Sequence, residues 1–426
     1  MKTLVHNLLQ HLAKKTLRAY KPTVVGITGS VGKTSVRSAI ASGLTTSPLF
    51  LLPLPNYNHV LVLPLPLLGE DPPGRSIFGW IGVLWRGWVL SLGMRKDFPP
   101  LLILEYGADK KGDIQYLCQI ARPDIAVITA VALAHTEYIG TIEDVKEEKG
   151  TLVRALPTDG VAILNTDNEY VASMERMAHG AVLTYGLNGG AQVTVSEISV
   201  ETHHDGDITP GERVARLDCI LHAGNERARL TMHNVLGDAH LRSAIAGAAV
   251  AVQLGVPLEK VAKNLSNYVP IAGRMRLIAG IKNSLILDDS YNASPDAMEA
   301  ALDTVGVFPV PSGAQRIAAL GDMLELGRYA EESHKAAGAH VARLPIDLLV
   351  CVGEHSRDIA RGALEAGMDQ EKVFTYASSP DAGTFIQKRM KRGDVLLVKG
   401  SQGVRMEKIV KELMGQPTKA EKWLNS

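Results

Sequence analysis

The sequence predicts an α/β protein with two domains, each built on a parallel sheet with helices on both faces. Short apolar runs (LLILE, DIAVIT, VAIL) alternate with helical stretches up to about residue 269, a pattern typical of buried parallel strands. From about residue 270, SLILDD, RIAALGD, DLLVCVG and DVLLVKG repeat it. Between about 181 and 233 apolar and polar residues alternate, which predicts a small antiparallel insertion. We expect an amphipathic helix at 1–20, a central α/β domain at 21–269 and a Rossmann-like domain at 270–426.

Composition excludes some classes of partner. The 426 residues carry 45 Lys plus Arg and 45 Asp plus Glu, so no overall field attracts nucleic acid or an anionic surface. The three cysteines, Cys118, Cys219 and Cys351, are far apart. This spacing predicts neither a disulfide framework nor a zinc site and favours a reducing, cytoplasmic location.

The stretch TVVGITGSVGKTSVRS, which begins at Thr23, has the layout of a phosphate-binding loop. An apolar run ends at a turn with Gly29 and Gly32, and a helical pattern opens at Lys33. Such a turn lets backbone N–H groups converge on phosphate oxygens, the lysine adds a charge, and the hydroxyl of Thr34 is placed to bind Mg²⁺. The alternative is an ordinary glycine turn between a strand and a helix.

Two apolar helices are predicted outside this pattern. The helix at 1–20 has an apolar face followed by basic residues, and we expect it to pack on the nucleotide domain rather than lie on a membrane. Residues 76–94 contain a single charge, Arg86, so their length alone would allow a membrane span. A span would separate two strands of one sheet, which favours a partly buried helix with Ile77, Ile81, Leu84 and Trp88 at helical spacing. Interfacial contact with a membrane is the alternative.

Candidate metal ligands follow the strands of the first sheet. Glu105 ends LLILE, so its carboxylate should lie at the carboxyl edge of the sheet, beside the phosphate loop. His135 follows the next strand at the same edge, either as a ligand or as a structural histidine. Lys149 lies in a mixed-charge helical stretch and, from composition alone, would be a solvated surface lysine.

The second domain repeats this arrangement. Asp288, Asp289, Tyr291 and Asn292 lie just beyond a strand, where they could hold ribose hydroxyls or an adenine edge, or only form a turn and cap the next helix from Ser294.

Near the carboxyl end, KGSQGVRMEKIV is a glycine turn between a strand and a helix. It carries Lys399, Ser401 and Arg405. Two cations and backbone N–H groups make it a candidate binding site for a substrate carboxylate.

Seven segments in order resemble the Mur ligases, the muramyl ligases of peptidoglycan synthesis. They are GITGSVGKTS, LEYGADKKGDIQYL, RPDIAVITAVALAHTEYIGT, ALPTDGVAILNTDN, LDDSYNASPDAM, GDMLELG and VKGSQGVRMEKIV. The last two resemble the branch that adds D-alanyl-D-alanine to a muramoyl tripeptide. The resemblance implies that ATP phosphorylates the peptide carboxylate, that the incoming amine attacks the acyl phosphate, and that Mg²⁺ assists.

The resemblance also implies roles for particular residues. A triphosphate cradle would comprise Gly29, Ser30, Val31, Gly32, Lys33, Thr34 and Ser35. The magnesium set would comprise Thr34, Glu105, His135 and Lys149, the last as a carbamate. Further nucleotide contacts would be Arg274, Asp289 and Asn292. The substrate side would comprise Asn56, Asn58, Lys399, Ser401 and Arg405.

Two departures from the family pattern bear on these implications. Family members usually begin with a domain that holds the uridine nucleotide, whereas only residues 1–20 precede the phosphate region here. Three hypotheses follow: a ligase for a UDP-linked acceptor, the same chemistry on another acceptor, such as a lipid-linked one, or a nucleotide-binding subunit whose partner recognises UDP. The second departure is GDAHLRSA at 237–244, where Ala239, His240 and Ser243 replace the family's residues near the nucleotide.

Overall fold

The fold contains two sheets, one for each of the two predicted domains. The computed structural model describes residues 2–44, 50–51, 63–74, 76–133, 136–202 and 213–416. The first sheet has nine strands in the order β2-β3-β1-β4-β5-β6-β7-β8-β9. Its strands are β1 (Thr23–Thr28), β2 (Phe50–Leu51), β3 (Leu101–Glu105), β4 (Ile125–Ile128), β5 (Val161–Asn165), β6 (Ala181–Tyr185), β7 (Val193–Thr202), β8 (Ala215–Ala223) and β9 (Glu226–His233).

The first sheet changes from parallel to antiparallel along its width. Strands β1 to β6 pair in parallel, and β7, β8 and β9 pair antiparallel. Tyr185 of β6 pairs with Val193 of β7, so the predicted antiparallel insertion continues the same sheet. Every residue of β3, β4 and β5 is buried, as the apolar runs predicted for strands covered on both faces.

Helices cover both faces of this sheet. They are α1 (Lys2–Tyr20), α2 (Lys33–Gly43), α3 (Pro64–Leu67), α4 (Ile77–Leu90), α5 (Asp113–Ile120), α6 (Thr136–Ile139), α7 (Ile142–Arg154), α8 (Glu169–Ala172), α9 (Asp238–Gln253) and α10 (Leu258–Leu265), with a 3₁₀ helix at Ser173–Met177. Helix α9 is Ala-rich and buried along most of its length. It packs against α2, the helix that follows the phosphate loop, which fixes the direction of the loop.

The second sheet has six strands in the order β10-β11-β15-β12-β13-β14. These strands are β10 (Arg276–Ala279), β11 (Leu285–Asp289), β12 (Arg316–Gly321), β13 (Leu348–Val352), β14 (Val373–Tyr376) and β15 (Val395–Lys399). Strand β10 is antiparallel to β11, and the other pairs are parallel. The predicted fold class, two α/β units on largely parallel sheets, is confirmed.

Five α-helices and four 3₁₀ helices accompany the second sheet in the described part of the chain. The α-helices are α11 (Pro295–Val307), α12 (Ala330–Val341), α13 (Ser356–Glu365), α14 (Ser379–Arg389) and α15 (Glu407–Leu413). The 3₁₀ helices are Ile281–Asn283, Gly327–Tyr329, Gln370–Lys372 and Gln402–Val404. The domain boundary predicted near residue 270 falls between α10 and β10 and stays a prediction.

The two apolar helices near the amino end pack on each other. Leu9 and Leu12 of α1 share a buried cluster with Val83 and Leu90 of α4, and the ring of His6 reaches the hydroxyl of Tyr116 on α5. Helix α1 therefore packs on the first domain, as predicted. None of the helices in the described residues is both long and apolar enough to span a bilayer.

The partly buried helix predicted at 76–94 exists as α4, but its orientation differs from the predicted one. Ile77, Ile81 and Trp88 are exposed, while Val83 and Leu90 face the protein. Helix α4 is apolar almost all round, so its sequence offers little periodic contrast from which to choose the buried side.

Candidate active site

The predicted phosphate loop connects β1 to α2 and depends on glycine at two positions. Gly29 has φ +151°, and a Cβ there would lie 1.9 Å from Oγ1 of Thr129. Gly32 is left-handed, with φ 85°, and precedes the first residue of α2. Because L-residues avoid such backbone conformations, only glycine fits both places without strain.

The end of β4 holds the loop in place. Ser30 donates its N–H to the carbonyl of Ala130 at 2.8 Å, and its hydroxyl bonds to the backbone of Ala132 at 3.1 Å. The hydroxyl of Thr129 donates to the carbonyl of Val31 at 2.5 Å. The loop is therefore held in one conformation before any ligand arrives, which lowers the entropic cost of binding.

Lys33 folds back over the loop. Its Nζ donates to the carbonyl of Gly29 at 2.6 Å. Burial among protein atoms lowers the pKa of Lys33 to about 8, with the nearby Glu105 carboxylate opposing this shift and the Arg274 guanidinium adding to it. An anionic phosphate beside Lys33 would favour the protonated form.

Thr34 and Glu105 come together at the carboxyl edge of the sheet, as predicted. The hydroxyl of Thr34 donates to Oε2 of Glu105 at 3.2 Å. On the other side, Nε of Arg37 lies 3.1 Å from Oε1 of Glu105, and both side chains are buried. Hydroxyl and carboxylate oxygens are ligands that Mg²⁺ prefers, so the pair fits a magnesium ion shared with phosphate oxygens.

Lys149 is buried, with 1% of its surface exposed, although composition alone suggested a surface lysine. It lies on α7, next to Glu148, whose carboxylate accepts the N–H groups of Gly112 and Ile114 at 2.8 Å each. Burial, together with the positive charge of Lys33, lowers the pKa of Lys149 to about 7. A substantial fraction of this amine is therefore neutral near physiological pH.

Arg274 brings the second domain to the phosphate loop. Its Nη2 donates to the hydroxyl of Thr34 at 3.2 Å, and its guanidinium lies 4.5 Å from the ring centre of Tyr291. Its backbone carbonyl accepts the Nε2 hydrogen of His240 at 2.9 Å, while Nδ1 of His240 accepts from the hydroxyl of Tyr268. Tyr268 also bonds to Ser35 in the first turn of α2. These contacts fix the linker between the domains against the loop.

The loop after β11 forms a second polar cluster. Lys399 is buried, and its Nζ donates to Oδ2 of Asp289 at 2.6 Å and to the carbonyl of Asn292 at 3.0 Å. The other carboxylate oxygen of Asp289 accepts the N–H of Met275 at 3.0 Å. Lys399 thus joins the predicted nucleotide residues Asp289 and Asn292 to β15.

The two remaining substrate candidates near the carboxyl end differ in exposure. The hydroxyl of buried Ser401 accepts the N–H of Leu324 at 2.9 Å. Arg405 is exposed and left-handed, with φ 60°, and its Nε lies 2.5 Å from Oε1 of Glu407. His135, Asn56 and Asn58 lie outside the described residues, so their predicted roles stay predictions without a described position.

Sequence reasoning missed three residues that organise this site. Arg37 neutralises Glu105, Glu148 anchors Lys149 by capping α5, and His240 fixes the linker at Arg274. The sequence signals for two of them are Glu148 directly before Lys149 and His240 within GDAHLRSA.

The fold and the loop define a nucleotide-binding class of protein in which two α/β domains meet at a phosphate loop. Residues 89–250 match the model of the Mur ligase middle domain, and residues 273–402 match that of the Mur ligase glutamate ligase domain. The chain is 30% identical to a Mycobacterium tuberculosis relative, over 93% of this chain and 74% of the relative. This chain belongs to the Mur ligase family, as the seven segments predicted.

The names of the relatives share one activity. The M. tuberculosis relative is named UDP-N-acetylmuramoyl-tripeptide–D-alanyl-D-alanine ligase, as is a Bacillus subtilis relative at 29% identity, with 96% of this chain and 79% of the relative covered. A crystal structure of MurF from Acinetobacter baumannii superimposes with a TM-score of 0.75 at 25% identity, covering 94% of this chain and 79% of that one.

Proposed function

We propose that this chain is an ATP-dependent, ADP-forming ligase of peptidoglycan precursor synthesis. It would join D-alanyl-D-alanine to the terminal carboxylate of a muramoyl peptide, the activity for which its relatives are named. The observation that carries the proposal is the contact of Arg274 with Thr34. It places a cation from the second domain beside the phosphate loop of the first, where ATP would meet the acceptor.

The proposed reaction has two steps. The terminal phosphoryl group of ATP moves to a carboxylate oxygen of the acceptor, giving ADP and an acyl phosphate. The amine then attacks the acyl carbon, the C–O bond to phosphate breaks, and the amide forms as the amine loses its extra proton. Lys33, Arg274 and the loop N–H groups would stabilise the charge that develops on the phosphoryl oxygens.

Mg²⁺ fits the oxygen pair of Thr34 and Glu105, and His135 is the further ligand predicted from sequence. The ion would supply charge neutralisation at the phosphate oxygens when bound. Arg37 holds the Glu105 carboxylate in its orientation, which prepares that ligand in advance.

Lys149 would act as a carbamate. Its neutral amine can add to carbon dioxide, releasing one proton and replacing a cation with an anionic carboxylate. Its burial and its pKa of about 7 support this chemistry. As an anionic carbamate, Lys149 would attract the positively charged Lys33, whereas a protonated Lys149 would repel it.

The remaining candidates divide between the nucleotide and the substrate. Asp289 and Asn292 would contact the nucleotide, held by Lys399. Ser401 and Arg405, with Lys399, would lie on the side of the substrate carboxylate, and Asn56 and Asn58 are the further substrate contacts predicted from sequence. We propose the same domain limits as before, 21–269 and 270–426.

Phosphate release with ATP, Mg²⁺ and D-alanyl-D-alanine tests this function. We expect release, and a ligated product by mass spectrometry, only when UDP-N-acetylmuramoyl tripeptide is added. The variant Lys33→Ala should abolish it, whereas Lys146→Ala, on α7, should not.

ATP binding without turnover on this acceptor would overturn the UDP-linked assignment. Turnover on a muramoyl peptide without UDP would assign the same chemistry to a different acceptor. Turnover restored only by a second protein would assign UDP recognition to that partner.

A further inference from the structure

Helix α4 presents an apolar stripe to solvent. Phe78, Ile81, Trp85 and Trp88 follow one another at intervals of three or four residues, which places them on one side of the helix, and exposed Leu92 lies just beyond the end of α4. Phe78 is 86% exposed and Trp85 is 63% exposed. The rings of Trp85 and Trp88 lie 5.2 Å apart. We call these five residues the α4 stripe.

The opposite side of α4 packs against the rest of the protein. Val83 and Leu90 are buried against Leu12 of α1 and against Leu65 and Leu68. The α4 stripe is therefore not used by the core of the described chain. Contiguous exposed apolar surface of this kind usually marks an interaction site.

Basic residues lie near the carboxyl end of the α4 stripe. Neither α1 nor α4 contains an acidic residue. The ends of the two helices meet where Arg95 donates its N–H to the hydroxyl of Tyr20 at 2.9 Å. Lys15, Arg18 and Lys96 are exposed there.

Acidic residues also lie nearby, and two are already engaged. Glu70 pairs with Arg86, and Asp97 pairs with Arg95. Asp71 is exposed close to Glu70 in sequence. Among the described ion pairs, none involves Lys15, Arg18 or Lys96, so their charge is available to an anionic surface.

We infer that the α4 stripe docks this protein on an anionic lipid bilayer, with α4 lying parallel to the surface. Its 14 residues would extend about 21 Å, short of the hydrocarbon thickness of about 30 Å. Tryptophan is favoured at the membrane interface, and basic residues add attraction to anionic headgroups. The side chains of the stripe carry almost no hydrogen-bonding groups, which favours a lipid over a polar protein surface. This inference does not depend on the proposed ligase activity.

Flotation of the full chain with lipid vesicles tests the inference. We expect binding to vesicles that contain phosphatidylglycerol, weaker binding to phosphatidylcholine alone, and release at high salt. Three of the four tryptophans, Trp80, Trp85 and Trp88, are on α4. Their emission should shift to shorter wavelength on binding.

Two variants and a matched control make the test specific. The double variant Phe78→Ser, Trp85→Ser should bind about tenfold or more weakly, because it removes two large apolar side chains from the interface. The variant Lys15→Glu, Lys96→Glu should lose the preference for anionic vesicles. Val307→Ser should bind as the parent does, since Val307 is 83% exposed in the second domain.

Unchanged thermal melting of each variant would show that it folds. Absence of vesicle binding by the parent chain, or equal binding by the serine double variant, would overturn the inference. So would a concentration-dependent dimer that the serine variant abolishes, because the stripe would then belong to a second copy of the chain.

Discussion

Burial gives Lys149 a pH dependence that an exposed lysine lacks. Its pKa is about 7 in the folded protein, below the ordinary value of 10.5. Between these two values the unfolded chain binds a proton that the folded chain does not. The free energy of unfolding therefore rises with pH through this window, by at most about 1.4 kcal/mol per pH unit.

The variant Lys149→Met should raise the free energy of unfolding at pH 7 and flatten its rise above that pH. Urea titrations in buffer free of carbon dioxide, at two pH values inside the window, would measure the change. Part of the rise should remain above about pH 8, where Lys33 titrates. Lys146→Met, a partly exposed position on the same helix, is the control, and equal slopes for both variants would contradict the assigned burial.

Residue types were easier to predict than their surroundings. Glu105 and Thr34 met as expected because Glu105 ends β3, Thr34 follows β1, and these two parallel neighbours end at one sheet edge. The burial of Lys149 was not visible in its sequence neighbours, which are mostly charged. The groups that contact such a residue come from elements far away in the chain, such as α5, and are therefore not visible in the local sequence.

At the level of elements, the phosphate loop depends on the close approach of Gly29 to β4. Gly29→Ala should weaken binding of a non-hydrolysable ATP analogue by at least about tenfold, because the new methyl group must displace Thr129 or the loop. Isothermal titration would measure the affinity.

The variant Gly112→Ala distinguishes the effect of the steric clash at Gly29 from the effect of backbone strain. Gly112 also has positive φ, 92°, but a Cβ there meets nothing within 4 Å. Gly112→Ala should cost about 1–2 kcal/mol of stability from strain alone and leave the ATP affinity unchanged. If Gly29→Ala bound the analogue like the parent chain, the loop conformation described here would be wrong.

Interior strands could be predicted, whereas edge strands could not. The buried runs β3, β5, β11, β12, β13 and β15 were all recognisable as continuous apolar stretches. Strand β14 is partly exposed, β2 has two residues, and β10 turns antiparallel at the edge. Such strands form because a sheet edge is available for pairing, a fact absent from their own sequence.

At the scale of the whole molecule, hydrogen bonds join the domains at two separate places within the described residues, beside the apolar packing of Val214, Ala215 and Leu236 against the core of the second domain. One is the contact of Arg274 with Thr34. The other joins the segment after β4 to the loop after β12: the hydroxyl of Thr136 donates to the carbonyl of Leu326, and Glu137 donates its N–H to Glu325, both at 3.2 Å. Hydrogen bonds at two separate places favour a closed arrangement of the domains.

The double variant Arg274→Ala, Thr136→Val should open this arrangement. Small-angle X-ray scattering without nucleotide should give a larger radius of gyration than for the parent chain, because two hydrogen bonds between the domains are lost. Arg405→Ala, at an exposed arginine of the second domain, should leave the scattering unchanged. Identical curves for the double variant and the parent would show that other contacts hold the domains together.

The spacing along α7 constrains how this chain can change in length. The helix begins with a reciprocal cap between Thr141 and Asp144, and Glu148 and Lys149 follow about one turn later. One inserted or deleted residue between them would rotate both side chains by about 100° and detach Glu148 from α5. The turn at Asn188–Gly190 is mostly exposed and constrains no such register. We therefore expect descendants of this sequence to gain and lose residues near Gly189 while the interval from Thr141 to Lys149 keeps its length.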